Sequence, residues 1–443
     1  MRHLLCVLGV LVVLLVSSEK AWAGHALTLE AAVARVAGEG REVRIAGAAH
    51  LSARAQVLAE RAAFFPQVSA GASRHYYAYQ PASLASGTKI LTAERSFNAY
   101  GVDVHQVLFD FGATQARYKA AQFAAEGARD EVARSRNKAV LAVITAYFDV
   151  LEAERMIVVA REQLASLARH ARDVTVLYRE GVVTRGDLLT VKVRFNEARQ
   201  GLVGARNAHR TASARLRQAL SSHDGEAFIL EDPRPPACPV FDLKRAFEFA
   251  LLRRPELRAM DKAVRAAEWR EEFSKAADRP VFFVDGAYTR ADNRYQARDD
   301  NWQGQAGVKL SIFNGGLTRA RAESARQEKE RARLERARLE DQVRCETETA
   351  MVAMGNAGER VALARSSVAQ AQENVRVTET RYHEGAGTSS EVLDALALRT
   401  GAETELWRAR YEFRRARARF MDATGMDLAQ EYSDREDVYG QSE

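Results

Sequence analysis

Cysteine is the scarcest chemistry-bearing residue in this chain: Cys6, Cys238 and Cys345 are all there is. Cys6 sits in a leading apolar run, and the other two fall in different kinds of segment, so a disulfide scaffold is excluded. A single bridge and two free thiols both stay open. Proline is nearly as sparse, with eight in all and none in 82–232 or 281–443, which leaves two very long stretches free to be helical. After Val16 no apolar run reaches the ~18–20 residues of a membrane helix, which excludes a bundle of such helices. Catalytic patterns are missing too. There is no phosphate-binding glycine loop, no nucleophile elbow and no Cys-x-x-Cys, and the nine histidines show no ligand spacing. His383-Glu384 lacks a second histidine at the interval a zinc site needs. No catalytic residue, metal site or cofactor is expected, and the chain does not read as an enzyme.

The net charge is +6 with a pI near 9.2, yet the arginines are spread among Glu and Ala, as from Arg319 to Arg344, and are not gathered with stacking aromatics. That is the pattern of solvated helix faces and not of a nucleic-acid surface. Residues 1–23 read as a secretory signal peptide. Arg2 starts it, Leu4 to Val16 is its apolar run, and Ala21-Trp22-Ala23 is the cleavage site. The mature chain is expected to begin near Gly24, outside the cytoplasm, with the net charge lowered to +5 by loss of Arg2, Glu19 and Lys20.

What is present in abundance is repetition. Tyr178-Arg-Glu-Gly-Val-Val-Thr-Arg-Gly-Asp-Leu-Leu returns as Tyr382-His-Glu-Gly-Ala-Gly-Thr-Ser-Ser-Glu-Val-Leu, an offset of 204. Phe109-Asp-Phe-Gly matches Phe313-Asn-Gly-Gly at the same offset, and the duplication runs without a gap from Phe109 to Leu220. Upstream the offset is 214, matching Leu29 to Leu243 and Glu42 to Glu256. The difference falls in a longer first-copy loop around Gln80 to Glu94. A duplication of this length sets the architecture.

Each copy spells the same order. A helical segment (Leu29 to about Phe65; Leu243 to about Arg279) is interrupted near Gly38 and Gly40 or at Pro255 and stopped by Pro66 or Pro280. Two strand-like runs follow, within 66–109 and 280–313. In the last of them Trp302, Ala306, Val308, Leu310 and Ile312 alternate with Gln303, Gln305, Lys309 and Ser311. In its counterpart Tyr100, Val102, Val104 and Leu108 alternate with Asp103 and His105. Such alternation suits a half-buried soluble strand or a membrane strand with one face on lipid. After Gly112 and Gly316 the character turns helical. Ala113 to Leu177 alone would span ~97 Å at 1.5 Å per residue. The chain then turns at a tip (178–190; 382–394) and returns along a 3.5-residue seam: Val191, Phe195, Ala198, Leu202, Ala205, His209, Ala212, Leu216, Ala219. The copy of that seam runs from Ala395 through Arg399, Ala409 and Phe420 to Ala423. His209 and Arg399 read as packing or register residues.

The domain plan is therefore a first repeat over 24–220, a proline-rich linker over 221–242, a second repeat over 243–425, and an acidic tail over 426–443 expected to be disordered. Four strands cannot close a barrel, and an open sheet edge cannot face lipid. If the strands enter a membrane the chain must oligomerise: two copies give eight strands with a filled interior, three give twelve with room for a channel. A soluble periplasmic coiled-coil scaffold or adaptor is the alternative, although such a protein should lack four alternating strands in two matched pairs.

The ordered set of Leu108-Phe-Asp-Phe-Gly, Ile312-Phe-Asn-Gly-Gly, Pro66, Pro280 and the two Tyr-x-Glu-Gly-x-x-Thr tips resembles the TolC-type outer-membrane efflux protein family over Leu29 to Gly425. The resemblance implies an α+β fold: a homotrimer with a twelve-stranded outer-membrane β-barrel, four strands per chain, continued by a coiled-coil α-helical tunnel in the periplasm. It implies a passive exit duct for a tripartite efflux or type I secretion system. Its partners would be a periplasmic adaptor (membrane fusion protein), an inner-membrane pump or ABC exporter, and outer-membrane lipid, with no nucleic acid. The entrance would lie at the tips. Glu391 and Asp394, three residues apart on one helix face, would form a pore constriction of six carboxylates, although from spacing alone they are ordinary first-turn acids. Asp187 and Tyr382 would form an entrance lock. Gly387 stands where a basic residue can complete it, which leaves Arg185 as a weak substitute. Gly181 and Gly385 would make the tip turns, and Thr184, Leu188, Thr388 and Leu393 the adaptor contact.

Overall fold

The computed structural model describes residues 25–222, 228–233 and 242–433. The signal peptide, Cys238 and the last ten residues of the tail lie outside them, while Cys345 is free and exposed. The chain divides into two compact units that cut across the sequence duplication: Met1–Ile45, Ala133–Pro255 and Glu340–Glu443 in one, Ala46–Val132 and Glu256–Leu339 in the other. Each takes corresponding parts of both repeats.

In the second unit four strands form one antiparallel sheet: β2 (Gln67–Tyr76), β5 (Ser96–Phe109), β7 (Val281–Ala291) and β8 (Asp300–Lys309), in that order. Pro66 and Pro280 stand immediately before two of these strands and cannot continue the helices that precede them. The motifs Phe109-Asp-Phe-Gly and Phe313-Asn-Gly-Gly are the strand-to-helix turns. Phe111 (φ 55°) and Gly112 (φ 91°) in one, and Gly315 (φ 66°) and Gly316 (φ 87°) in the other, take left-handed backbone. Asp110 holds the first turn by accepting from the backbone of Gly112 (3.1 Å) and Thr114 (2.7 Å). Two expectations change here. The loop at 80–94 folds as a hairpin, β3 (Ala82–Ala85) with β4 (Thr88–Leu91), turning on Ser86 (φ 52°) and Gly87 (φ 79°). Two successive left-handed residues favour that tight turn, in a stretch too short to show alternation. The last strand also ends at Lys309, leaving Leu310 to Phe313 outside the ladder.

In the first unit, helix α1 (Leu29–Glu39) starts on an N-cap, Thr28, and ends at Gly40. Two 67-residue helices, α3 (Ala113–Arg179) and α7 (Leu317–His383), are the outgoing arms, of which this unit holds the portions beyond Val132 and Leu339. The 35-residue helices α4 (Arg185–Ala219) and α8 (Ser389–Ala423) return; α5 is Leu243–Arg253, while α2 (Arg41–Ala62) and α6 (Pro255–Ala276) fall mostly in the second unit. Val191, Ala198, Leu202, Ala212 and Leu216 of the first seam are buried, as are Ala395, Ala409, Ala416, Phe420 and Ala423 of its copy. The off-pattern seam residues take polar partners: His209 lies 3.5 Å from Glu154, and Arg399 donates to Ser166 at 3.0 Å.

The linker and tail depart from expectation. Phe228–Leu230 (β6) pairs in parallel with His25–Leu27 (β1). Beyond Gly425, a stretch expected to be disordered, Leu428–Ser433 is a short helix, α9. Met426, Leu428, Ala429 and Tyr432 are buried there in one core with Leu29, Val33, Ile144, Tyr147, Phe148 and Met421. These apolar positions are masked in the sequence by the acids between them. Tyr147 ties the parallel pair down. Its hydroxyl lies 2.9 Å from the Leu27 carbonyl and 2.7 Å from that of Glu231, and accepts from the Glu231 amide at 3.1 Å. Burial raises its pKa well above the usual tyrosine range.

Replacing Tyr147 by Phe keeps the ring and leaves these backbone groups unpaired in the core. The expected cost is about 1–3 kcal/mol, read as a lower midpoint in thermal or denaturant unfolding; an unchanged midpoint would contradict this role.

Candidate functional site: the hairpin tips and the faces of the sheet

Both tips close in the same way. Gly181 and Gly385 each have φ 77°. The amide of Val182 bonds back to Leu177 and that of Gly181 to Tyr178, while Ala386 and Gly385 repeat this to Arg381 and Tyr382. This is the helix-ending pattern that a left-handed glycine permits. The returning helices then start on Thr184 and Thr388, whose hydroxyls accept from the amides of Asp187 (3.2 Å) and Glu391 (3.3 Å). Asp187 completes a capping box, accepting from the Thr184 amide at 3.0 Å. Its copy does not. Glu391 turns instead toward Arg381, 3.6 Å away. Gly387 explains the difference, because a Cβ there would lie 3.3 Å from the Glu391 carboxylate and 3.2 Å from the Tyr382 amide. The residue missing from the expected lock thus stands where a side chain would be tight against the Tyr382 amide and the Glu391 carboxylate.

Beneath the turns lies a small core of Leu167, Val174, Leu188, Val191, Val375, Val392, Leu393 and Leu396. Leu188 and Leu393, expected as exposed adaptor contacts, are 8% and 6% exposed. They are core residues. Val183, just before the cap, packs into the same cluster as Leu188, four positions after it, the staple that fixes how a chain enters a helix. Thr184 and Thr388 are exposed, and the apolar groups the first tip does present are Val182 and Leu189.

The structure brings the remaining predicted residues together only in part. Glu391 and Asp394 are exposed on one face of α8, and Asp394 borders an open groove of about 880 Å³ that also holds Leu363 and Leu398. Tyr382 is partly buried in the tip core, and its hydroxyl has no hydrogen-bond partner. Burial, then the nearby charges of Asp173 and Asp187, raise its pKa. Asp187 is therefore close to Tyr382, but its carboxylate is committed to the cap and no bond joins the two within one chain. Arg185 makes no bond to Asp187 in the capping arrangement. One residue was missed: His170, buried on α3, bonds across to Ser389 (2.9 Å), and its ring meets that of Tyr382 edge-on at 5.3 Å. Nothing in its sequence surroundings marks it. Only the spatial pairing of two segments 219 residues apart does.

The sheet of the other unit has two chemically distinct faces. Paired residues share a face, and register places Val68, Ala70 and Ala72 beside Val104, Val102 and Tyr100. Val104 and Val102 continue through Gly286 and Tyr288 to Gly304 and Trp302, Tyr100 ends the band against Arg290 and Asp300, and at the other end Phe109 continues through Phe282 to Val308. Trp302 is 77% exposed. On the opposite face Gln67, His105, Asp285 and Gln305 form one polar row, with Ser69, Asp103, Ala287 and Gln303 beside it. They line a depression of about 560 Å³. His105 and Asp285 pair at 2.5 Å. Aromatic rings cluster at both ends of the apolar face: Phe109, Phe111 and Phe282 at one, Tyr288 and Trp302 at the other. An apolar band rimmed by aromatics, backed by a polar face, is the pattern of a membrane strand over water. Strands β2 and β8 are open edges. Among the described residues no helix is long and apolar enough to cross a membrane, and no group of three or more His, Cys, Asp or Glu could hold a metal ion.

Comparison with known proteins agrees with this arrangement. The family described as outer membrane efflux protein matches residues 32–222 and 247–426. The outer membrane efflux protein BepC of Brucella suis is 24% identical over 352 residues, 77% of this chain and 75% of that one. Among solved structures, a membrane protein from Pseudomonas aeruginosa superposes with a TM-score of 0.81 at 20% identity, covering 91% of this chain and 92% of the other. The outer membrane protein VceC from Vibrio cholerae gives 0.79 at 16%, covering 90% and 96%.

Truncating Leu393 to Ala removes a core side chain at a cost of about 2–5 kcal/mol. Amide exchange over 382–394 should quicken by an order of magnitude or more, with the remainder of the unit unaffected. An unchanged tip would mean that Leu393 is not a core residue.

Proposed function

Because the chain belongs to the outer membrane efflux protein family, we propose that it is the passive outer-membrane exit duct of a tripartite efflux or type I secretion assembly. The observation that carries this reading is the four-stranded sheet with one apolar face, one polar face and two unpaired edges. Hydrocarbon cannot hydrogen-bond an open edge, so β2 of one copy pairs with β8 of the next. Three copies close a barrel of twelve strands, apolar faces on lipid and polar rows on an aqueous lumen. A soluble scaffold would leave Trp302, Val68 and Val308 facing water with no reason to be there.

The helical arms of three chains form the periplasmic tunnel, and the tips its entrance. Glu391 and Asp394 from each chain supply a ring of six carboxylates, which favours cations and binds divalent ions. Asp187 and Tyr382 contribute to closure through charge and packing across the tip, with Gly181 and Gly385 making the turns. Thr184 and Thr388, together with exposed Val182 and Leu189, face the adaptor, which couples the duct to an inner-membrane pump or ABC exporter. Energy and cargo selection belong to those partners, and the chain itself performs no chemistry.

In a planar bilayer the purified protein is expected to give a small, cation-selective conductance blocked by divalent ions. Changing Glu391 and Asp394 to Ala should relieve the block and weaken the selectivity. Conductance unaltered by the substitutions would place the constriction elsewhere, and no conductance from either protein would remove the duct reading.

A further inference from the structure

At the tip two hydrogen bonds join the first hairpin to the second, and both leave the same face of α3. Their α3 ends, Ser166 and His170, are one turn of helix apart, while their α8 ends, Arg399 and Ser389, are ten residues apart. Ser166 accepts from Arg399 at 3.0 Å, and His170, nearer the tip, bonds Ser389 at 2.9 Å. The two differ in one respect: a guanidinium keeps its charge at any pH the protein meets, whereas an imidazole gains one near neutrality. His170 is 6% exposed. Its Nε2 faces Ser389, the first residue of α8, where the free amides of a helix start carry partial positive charge. Its ring lies against Tyr382 of α7.

On the reading of the tips as the duct's entrance, we infer that His170 is a positioning residue of that entrance, a latch holding the two hairpins together while its imidazole is neutral and releasing them when it takes up a proton. An added proton would be a buried charge beside a helix N-terminus, at the level of the tip core to which Leu167, Val174 and Val392 belong. The charged and titratable groups facing it are few. Asp173 on its own helix and, less strongly, the hydrogen bond to Ser389 favour the cation, while burial above all and His383 at the end of α7 oppose it. Tyr382 is neutral, and Asp187 of α4 lies toward Tyr382. Burial outweighs Asp173, so the histidine is held below its ordinary pKa. The sign follows. Released hairpins bind the proton more readily than latched ones, so the latch is at full strength above the ordinary histidine value of about 6.5 and weakens as pH falls through and below it. Arg399 and Ser166 stay bonded, which confines the opening to the last turns.

The test is conductance of the full-length protein in planar bilayers between about pH 7.5 and about pH 5.5, above the range in which ordinary carboxylates titrate. The wild type should conduct several-fold more at the acid end. His170→Gln, which can still bond Ser389 but cannot charge, should give a flat profile, and His383→Gln should keep the rise. Amide exchange over 382–394, corrected for its intrinsic pH dependence, should rise in acid in the wild type and not in His170→Gln, which reads the latch without a bilayer. A conducting wild type with a flat profile, or a rise surviving in His170→Gln, overturns the latch and leaves the duct standing. Absence of any conductance removes the duct and the latch with it.

Discussion

A β-strand carries its hydrogen-bonding groups along both edges, and in hydrocarbon every one of them must find a partner. This constraint governs the molecule. The sheet of β2, β5, β7 and β8 ends on two open strands, and its lipid-type face is apolar from Val68 to Val308 apart from Gln106. Neither property is tolerable in isolation, and on the proposed reading both are resolved by rotation about an axis that brings identical copies edge to edge. Alternation on the strands, sparse proline and the lack, among the described residues, of a helix able to cross a membrane accord with that solution.

The helical parts obey a different requirement. Arms of 67 residues are held mostly by packing of small and large side chains along seams. The tips combine strong local order with a shared apolar core and few polar links between hairpins. Gly181, Gly385, Thr184 and Thr388 fix each turn from within. His170 with Ser389, and Arg399 with Ser166, are the polar links from one hairpin to the other there. On the proposed reading of the tips as an entrance, a tip built this way would open by parting hairpins and not by unfolding turns.

Much of this was legible in the residues. The prolines before β2 and β7, the glycines of the turns, the 3.5-residue seams and the alternation around Trp302 each follow from a local rule, and the local rules agree with one another. What stayed hidden was tertiary. The burial of Leu188 could have been seen in its spacing from Val183, but that of Leu393 depends on the neighbouring hairpin. The pairing of Phe228–Leu230 with His25–Leu27 and the folding of Leu428–Ser433 depend on a core whose members are scattered over the whole chain. Asp187 shows the limit most clearly: one acid can cap a helix or lock an entrance, and only the geometry at Thr184 says which it does within a chain.

The central claim is that the open edges of this sheet are satisfied by two further copies of the chain. Native mass spectrometry of the detergent-solubilised protein tests it most directly. A particle of three chains that survives release from the detergent is the predicted result; a monomer, or a particle of two chains, would contradict it.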